Sequence, residues 1–280
     1  MTFQEAQRAA AVELARAGVP SPENDAALLL MYVCGWNRTQ YLLMMREEMS
    51  ENTLAAYQAV IAQRKKRIPL QHITGTAPFM GYTFRVSPDV LIPRPDTEML
   101  VQRAGEYLSR QTDDGGSVLD LCCGSGCIAV TLKKTFPHLQ VTASDISGAA
   151  LQVAKENADR LGAQIKWVRS DLFASIKGKF DLIVSNPPYI PSGEIAELED
   201  EVRLYDPVLA LDGGEDGLRF YREIASAAGN YLHKGGYLML EIGAAQADDV
   251  SGILQAAGFR AIKIYRDLAG LDRVAAGGWL

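Results

Sequence analysis

Long hydrophobic runs are absent from this sequence of 280 residues. No apolar stretch reaches about 18 residues, the length that crosses a bilayer, and no signal peptide is recognisable. Positive charge is also in deficit, because 28 lysines and arginines face 34 aspartates and glutamates, for a net charge of −6. We therefore expect a cytosolic protein with no membrane partner. A direct nucleic-acid substrate is not expected, because most nucleic-acid-binding proteins carry a basic face.

Cysteine and histidine are scarce, with four cysteines and three histidines in the chain. So few cysteines do not suggest a disulfide framework in a protein of this kind. Cys122, Cys123 and Cys127 are close in sequence, but their spacing is not the paired C-x-x-C pattern of a zinc site, and the histidines are scattered. We predict no metal site and interpret the three cysteines as small residues that pack a tight turn.

Two regimes divide the chain. Residues 1–75 read as short helices, in which the basic run Arg64–Arg67 is typical of a solvated helix end. Residues 76–95 are rich in aromatic side chains and punctuated by glycine, which predicts a β-hairpin connector. In residues 96–280 strand and helix patterns alternate, which predicts an α/β domain with a parallel sheet. We interpret the helical domain as a partner-recognition domain, with packing support as the alternative.

A glycine turn begins the α/β domain. The apolar strand Ser117–Leu121 runs into Gly124-x-Gly126, and a helix follows from Cys127. Glycines let a backbone approach a ligand closely, and a helix N-terminus favours polar or anionic groups. Read through to Ala129, the turn also fits the dinucleotide fingerprint, so it does not identify the ligand by itself. The residues predicted to contact the ligand here are Asp120, Cys122, Cys123, Gly124, Ser125 and Gly126.

Acidic residues end the next two strands. Asp145 closes the strand at Gln140–Asp145, at the spacing where such an acid accepts hydrogen bonds from a ribose diol. Asp171 follows the strand at Ile165–Arg169 and is predicted to accept from an adenine amine, with Leu172 covering the ring. Each acid read singly is also compatible with a helix cap. Three strand-end features in this order favour a cofactor that contains adenosine.

The run Asn186-Pro187-Pro188-Tyr189 follows the apolar strand Phe180–Ser185. The end of such a strand is where open α/β sheets bind ligands. Neither proline has an N–H group, so the two offer only carbonyl acceptors, and Asn186 adds a side-chain carbonyl. Tyr189 offers a flat aromatic face. A rigid slot rich in acceptors suits a planar NH2 group, such as an amide nitrogen or the exocyclic amine of adenine.

Together these motifs resemble the class I S-adenosylmethionine-dependent methyltransferases. The runs Pro69–Gly75 and Val90–Glu98 resemble one family of that class closely, the HemK/PrmC family of glutamine N5-methyltransferases. The resemblance covers nearly the whole chain. It implies a Rossmann-like, seven-stranded, mostly parallel sheet with a terminal antiparallel hairpin. It also implies S-adenosylmethionine as cofactor and, as substrate, the glutamine of the Gly-Gly-Gln motif in peptide chain release factors. Cys122 departs from the family, which often has glycine in this half of the turn, and would be strained if the backbone there needs a positive φ.

The expected chemistry is the placement of a weak nucleophile. We predict that the Asn186 side-chain oxygen and the Pro187 carbonyl hold the two N–H bonds of the glutamine amide, and that Tyr189 stacks on its plane. Asn186 is also predicted to contact the cofactor. The family resemblance places Leu91 and Arg94 in the same substrate pocket, together with Pro188. The alternative for Arg94 is an ion pair with one of the acids at the start of the next helix, Asp96 or Glu98.

Three functions are compatible with these motifs. The first is a protein glutamine methyltransferase, which the Leu91–Glu98 run, the helical domain and the acidic charge favour. The second is an adenine N6-methyltransferase, which would use the same slot on a flipped base of DNA or RNA. The third is a nucleotide binder that transfers no methyl group, such as a dehydrogenase, and it leaves Asn186–Tyr189 unexplained.

Overall fold

The computed structural model describes residues 1–111 and 116–280. Their contacts divide them into a helical unit, which contains residues 1–76 and 199–205, and an α/β unit, which contains residues 77–198 and 206–280. The helices are α1 (Phe3–Arg16), α2 (Pro22–Cys34), α3 (Arg38–Met44), α4 (Glu51–Lys65), α5 (Leu70–Thr74), α6 (Pro95–Gln111), α7 (Cys127–Thr135), α8 (Gly148–Leu161), α9 (Asp200–Arg203), α10 (Arg219–Ala228) and α11 (Ala247–Ala256). The strands are β1 (Thr76–Phe79), β2 (Tyr82–Arg85), β3 (Ser117–Leu121), β4 (Gln140–Asp145), β5 (Lys166–Arg169), β6 (Phe180–Ser185), β7 (Leu232–Glu241), β8 (Arg260–Arg266) and β9 (Asp272–Gly278).

The helical unit is stabilised by a small apolar core. Leu14 of α1 and Leu29 and Leu30 of α2 are fully buried in it, and Tyr57 of α4 is 1% exposed. The Tyr57 hydroxyl donates to the Ala26 carbonyl oxygen at 2.8 Å, which satisfies the polar end of the ring inside the core.

Arg64 is buried, so the prediction that the basic run Arg64–Arg67 is solvated is wrong for this residue. The Arg64 side chain is 3% exposed, and its guanidinium contacts Asp25 at 2.7 Å and Glu201 at 2.8 Å. Arg67 also contacts Glu201, at 2.9 Å. Lys65 does face solvent, where it pairs with Glu13. The local charge pattern could not show that Arg64 is buried, because both of its acidic partners, Asp25 and Glu201, are distant in sequence.

A mixed sheet of seven strands forms the α/β unit, in the order β5-β4-β3-β6-β7-β9-β8. The first five strands are parallel, β9 is antiparallel to β7, and β8 is antiparallel to β9. Apolar clusters cover both faces: Val118 of β3 belongs to one, and Leu119 and Leu121 belong to the other. A strand buried on both faces reads as a continuous apolar run, which is why these strands are evident in the sequence. The predicted seven-stranded, mostly parallel sheet with a terminal antiparallel hairpin is confirmed.

The hairpin β1–β2 belongs to the α/β unit from residue 77 onward. Its turn consists of Met80 and Gly81, which both have a positive φ, as the tight hairpin turn requires. Phe79 and Phe84 pack edge to face beneath it, with ring centroids 6.0 Å apart. Within residues 1–111 and 116–280, no helix combines the length and apolarity needed to cross a bilayer.

Replacing Arg64 with alanine should destabilise the helical unit by about 3–5 kcal/mol, because the change leaves Asp25 buried without its partner. Denaturant unfolding followed by circular dichroism measures the effect. Lys65→Ala is the matched control, since it removes the neighbouring exposed ion pair and should cost less than about 1 kcal/mol. Equal losses in the two variants would contradict the importance of the buried pair.

Candidate functional site

A cavity of about 430 Å³ opens at the carboxyl ends of the parallel strands. It lies where the strand order reverses, because β3 pairs with β4 on one side and with β6 on the other. This is the position at which open α/β sheets bind ligands. The lining comes from Pro88–Leu91, Pro93, Arg94, Thr97, Cys122–Ser125, Cys127, Ile128, Ser144–Ser147, Ala150, Ser170–Leu172, Asn186, Pro188, Pro207, Leu209, Ala210, Arg219 and Phe220.

The two glycines of the turn have different surroundings. A Cβ atom added to Gly124 would have no heavy atom within 4 Å, whereas one added to Gly126 would lie 3.0 Å from the Ala154 Cβ and 3.2 Å from the Trp167 ring. Gly124 therefore exposes backbone to the cavity, and Gly126 permits close packing behind it. Cys122 has a φ of +58°, so this non-glycine residue carries the strain foreseen for the position.

Asp120 lies beneath the turn and does not line the cavity. It is fully buried, and its Oδ2 accepts from the Ala129 backbone N–H at 3.0 Å, which satisfies one of the free N–H groups at the start of α7. Burial raises the pKa of Asp120 well above its usual value. Its role is to anchor α7 under the turn.

Asp145 ties the glycine turn to the end of β4. Its Oδ2 accepts from the Gly124 N–H and its Oδ1 accepts from the Ser147 N–H, both at 2.9 Å. Burial raises the pKa of Asp145, and the backbone hydrogen bonds oppose that rise. A carboxylate has about four lone-pair positions, so two hydrogen bonds leave it able to accept from a diol.

Asp171 and Leu172 line the same cavity next to β5. Leu172 has a φ of +41°, and its carbonyl oxygen accepts from the Ser170 hydroxyl at 2.7 Å. Ile146, which sequence reasoning did not select, also lines the cavity and is 43% exposed. Apolar and carboxylate groups therefore meet at this end, as an adenine ring would need.

The cysteines around the turn are poor metal ligands. Burial raises the pKa of Cys122 and of Cys127 to about 12, and it raises the pKa of Cys123 well above the usual value. All three thiols are therefore protonated at neutral pH, and a thiolate is the form that binds metals. In the part of the chain that the structure describes, no group of three or more histidine, cysteine or acidic side chains has the geometry of a metal site.

Asn186 and Pro188 line the cavity, whereas Pro187 and Tyr189 do not. The Asn186 Nδ2 donates to the Thr97 hydroxyl oxygen at 3.2 Å. Pro187 is buried. The Tyr189 carbonyl oxygen accepts from the Gln246 Nε2 at 3.0 Å, and burial raises the pKa of the Tyr189 phenol. Two members of the run therefore line the cavity, and the other two do not.

Leu91 and Arg94 line the cavity. The alternative ion pairs for Arg94 are wrong, because its guanidinium contacts Asp206 at 2.5 Å. Asp96 instead pairs with Arg273 at 3.2 Å, and Glu98 accepts from the Met80 backbone N–H at 2.6 Å. The Asp206 side chain is fully buried, so it offers Arg94 a stronger partner than an exposed acid at the helix start.

Sequence reasoning missed two residues beside Asn186. Thr97 is buried at the start of α6, and Glu241 is 1% exposed at the end of β7. Burial raises the pKa of Glu241 to about 7, although hydrogen bonds from Thr97 and Asn186 work against the rise. An acid that ends an apolar strand is the signal that identified Asp145, and it applies equally to Glu241.

The chain matches two family models. A model of the PrmC N-terminal domain matches residues 5–75, and a model of the methyltransferase small domain matches residues 97–199. The release factor glutamine methyltransferase of Geobacter sulfurreducens is 43% identical over 265 residues, which cover 94% of this chain and 92% of that protein. The same enzyme from Deinococcus radiodurans is 43% identical over 264 residues, which cover 94% of each chain. This chain belongs to the release factor glutamine methyltransferase family.

Solved structures of more distant proteins share the fold. A methyltransferase from Pyrococcus furiosus covers 71% of this chain and 90% of its own, with a TM-score of 0.53 and 17% identity. A Thermus thermophilus methyltransferase for N2 of G1207 in 16S rRNA, solved with S-adenosylmethionine and guanosine, covers 73% and 50%, with a TM-score of 0.55 and 20% identity. Together with the family, this fold makes the protein a methyltransferase that uses S-adenosylmethionine.

Replacing Asp145 with alanine should weaken S-adenosylmethionine binding by about 1–3 kcal/mol, the scale of a hydrogen bond to a charged group. Isothermal titration calorimetry on the full-length chain measures the change. Asp159→Ala, which removes an exposed acid from α8, is the control and should leave the affinity unchanged. An Asp145→Ala variant that binds as tightly as the wild type would rule out a hydrogen bond to the ribose.

Proposed function

We propose that this protein methylates the side-chain amide nitrogen, N5, of the glutamine in the Gly-Gly-Gln motif of peptide chain release factors. The observation that carries the proposal is the hydrogen bond from the Asn186 Nδ2 to Thr97. An amide has its donors on nitrogen and its acceptor on oxygen, so a nitrogen bound to the buried Thr97 hydroxyl leaves the oxygen free to accept from a ligand in the cavity. The family of the chain supports the release factor as substrate. Such a substrate implies action in the cytoplasm, where translation terminates.

The cavity residues fit S-adenosylmethionine, which supplies a methyl group already activated on a sulfonium. We assign the ribose hydroxyls to Asp145, whose carboxylate keeps free lone pairs, and the adenine to Asp171 and Leu172. Gly124 leaves space over the turn, so cofactor atoms can approach its backbone closely. The neighbouring turn residues Cys122, Cys123 and Ser125 line the same end of the cavity, while Asp120 and Gly126 support the turn from behind.

A glutamine amide nitrogen is a weak nucleophile, because its lone pair is delocalised into the carbonyl group. We assign its two N–H bonds to the Asn186 Oδ1 and the Pro187 carbonyl oxygen. Pro187 itself does not line the cavity, but its carbonyl carbon is bonded to the nitrogen of Pro188, which does line it. Two fixed acceptors orient the nitrogen lone pair toward the methyl group, and proximity of this kind contributes up to roughly 7–11 kcal/mol. The same acceptors stabilise the positive charge that develops on nitrogen, and one N–H proton leaves as that charge develops, so that the product is a neutral N-methyl amide. Tyr189 does not line the cavity, so the stacking predicted for its ring is not part of this assignment.

The substrate segment has to enter a confined space. Glycines on one side of the glutamine remove side chains that would clash at the cavity mouth. Leu91 and Arg94 would then contact the segment beside the glutamine. Asp206 holds Arg94 in place and uses only part of its five N–H donors, so the guanidinium keeps donors for a peptide carbonyl.

Replacing Asn186 with alanine should lower the turnover number at least about 100-fold, as does the loss of one oxyanion-hole donor. S-adenosylmethionine affinity should change much less, because the lost acceptor faces the substrate. The measurement is mass spectrometry of release factor after incubation with each enzyme, with adenine-containing DNA and RNA assayed in parallel. A methyl group on adenine, with the release factor unmodified, would replace this proposal with the adenine methyltransferase.

We further propose that the helical unit recognises the release factor outside the Gly-Gly-Gln motif, with residues 76–95 as the connector to the catalytic domain, residues 96–280. In support, α3 exposes two leucines, Leu42 at 63% and Leu43 at 73%. Large apolar side chains that are exposed side by side are typical of surfaces that bind other proteins.

The double change Leu42→Glu and Leu43→Glu should lower kcat/KM for the intact release factor about tenfold or more, since an anchor residue commonly contributes at least 1–2 kcal/mol to an interface. The same variant should methylate a short Gly-Gly-Gln peptide as fast as the wild type. Leu268→Glu is the control, because Leu268 is a fully exposed leucine of the β8–β9 turn. Equal losses on protein and peptide would contradict a recognition role for α3.

A further inference from the structure

A buried carboxylate lies directly behind the catalytic asparagine. Glu241 ends β7, the strand that pairs with β6, and its residue is 1% exposed. Its Oε2 has no hydrogen-bond partner among the residues that the structure describes. Keeping such a buried carboxyl group ionised costs free energy, because burial strongly disfavours the charged form. An acid that is retained at this position therefore points to a role in the site.

The hydrogen bonds around Glu241 have a definite direction when it is ionised. A carboxylate only accepts, so the Thr97 hydroxyl must donate its single proton to Glu241. The Thr97 oxygen is then available only as an acceptor, and it receives the Asn186 Nδ2 at 3.2 Å. Hydrogen bonding from Asn186 also lowers the pKa of Glu241, against the effect of burial. The Asn186 nitrogen is thus directed toward Thr97 and Glu241.

We propose that Glu241 is a positioning residue, which acts directly and through Thr97 to hold the Asn186 amide with its nitrogen inward and its oxygen toward the substrate. The inference rests on the proposed function for the identity of the substrate, because the oxygen is what receives the glutamine N–H bond. A protonated Glu241 would donate a hydrogen bond, so it would no longer impose one orientation on the threonine hydroxyl or on the asparagine amide.

Ionisation of Glu241 should therefore control the rate near neutral pH. Burial is the largest influence on its pKa, which is raised to about 7. The ionised form is the productive one, so activity should fall as the pH falls through this value. The charged and titratable groups that face Glu241 are Asp96 from α6, Arg273 from β9, Cys127 from α7, Tyr189 after β6 and Tyr221 from α10, whose hydroxyl donates to the Glu241 backbone oxygen at 3.2 Å.

The kinetic test compares four variants over about pH 6 to pH 8.5, with kcat measured on the release factor. Glu241→Gln and Thr97→Val should each lower kcat roughly 10–100-fold, the usual effect of losing a group that orients a reacting one. Glu241→Gln should also abolish the fall in kcat below pH 7. Thr97→Ser keeps the hydroxyl and should retain most activity. Thr131→Val is the matched control, since Thr131 is equally buried and its hydroxyl has no partner within residues 1–111 and 116–280.

A second measurement tests the inference without any substrate. In full-length protein made with ¹⁵N-labelled asparagine, the Asn186 side-chain NH2 signals, assigned from their loss in Asn186→Ala, should shift with pH in the wild type and not in Glu241→Gln. Signals that are insensitive to pH in the wild type, or that titrate equally in Glu241→Gln, would overturn the inference. A wild type that leaves release factor unmethylated while its Asn186 signals follow Glu241 would overturn only the proposed function.

Discussion

The hydrogen bond between the Asn186 Nδ2 and the Thr97 hydroxyl determines which end of an amide meets the cavity. Asn186 has a donor end and an acceptor end of nearly the same shape, so sterics alone would not choose between them. A methyl acceptor that presents N–H bonds needs the acceptor end. Thr97 and Glu241 fix the amide with its nitrogen toward them, which leaves the oxygen for the substrate. The assignment of the cavity to amide methylation depends on this orientation.

The sheet makes this arrangement possible. Asn186 follows β6, Glu241 ends β7, and the two strands are hydrogen-bonded neighbours in the centre of the sheet. On the other side of β6, the register of β3 pairs Leu121 with Ser185, which brings the glycine turn level with the start of the asparagine run. The glycine turn and the asparagine run are therefore adjacent because parallel strands end at one edge, although Leu121 and Ser185 are 64 residues apart in sequence.

Local signals in the sequence predicted most of the fold and part of the site. The glycine turn, Asp145, Asp171 and the run at Asn186 each follow an apolar strand, and the sheet brings all of them to one edge. A position after a strand does not distinguish residues that line the cavity from residues that only support it. The sequence therefore could not show that Tyr189 does not line the cavity. Glu241 carries the same signal as Asp145, an acid at the last position of an apolar strand, so the sequence pattern could have identified it.

Ion pairs between residues that are distant in sequence could not be predicted from local sequence patterns. Arg94 has two acids nearby in its own segment, and a local rule selects one of them, but a buried acid 112 residues away is its partner. Arg64 similarly pairs with Asp25 and with Glu201, which belongs to a segment 137 residues farther along the chain. Such partners are chosen by burial and geometry, and neither can be read from spacing in a single sequence.

The central claim is that the Asn186 oxygen receives an N–H bond of the substrate glutamine. The most direct measurement is a crystal structure of the full-length protein with S-adenosylhomocysteine and a Gly-Gly-Gln peptide. We expect the glutamine nitrogen to lie about 2.7–3.2 Å from both the Asn186 Oδ1 and the Pro187 carbonyl oxygen, with the Asn186 nitrogen still hydrogen-bonded to Thr97. An Asn186 nitrogen turned toward the peptide, or a glutamine nitrogen out of hydrogen-bonding range of both oxygens, would contradict it.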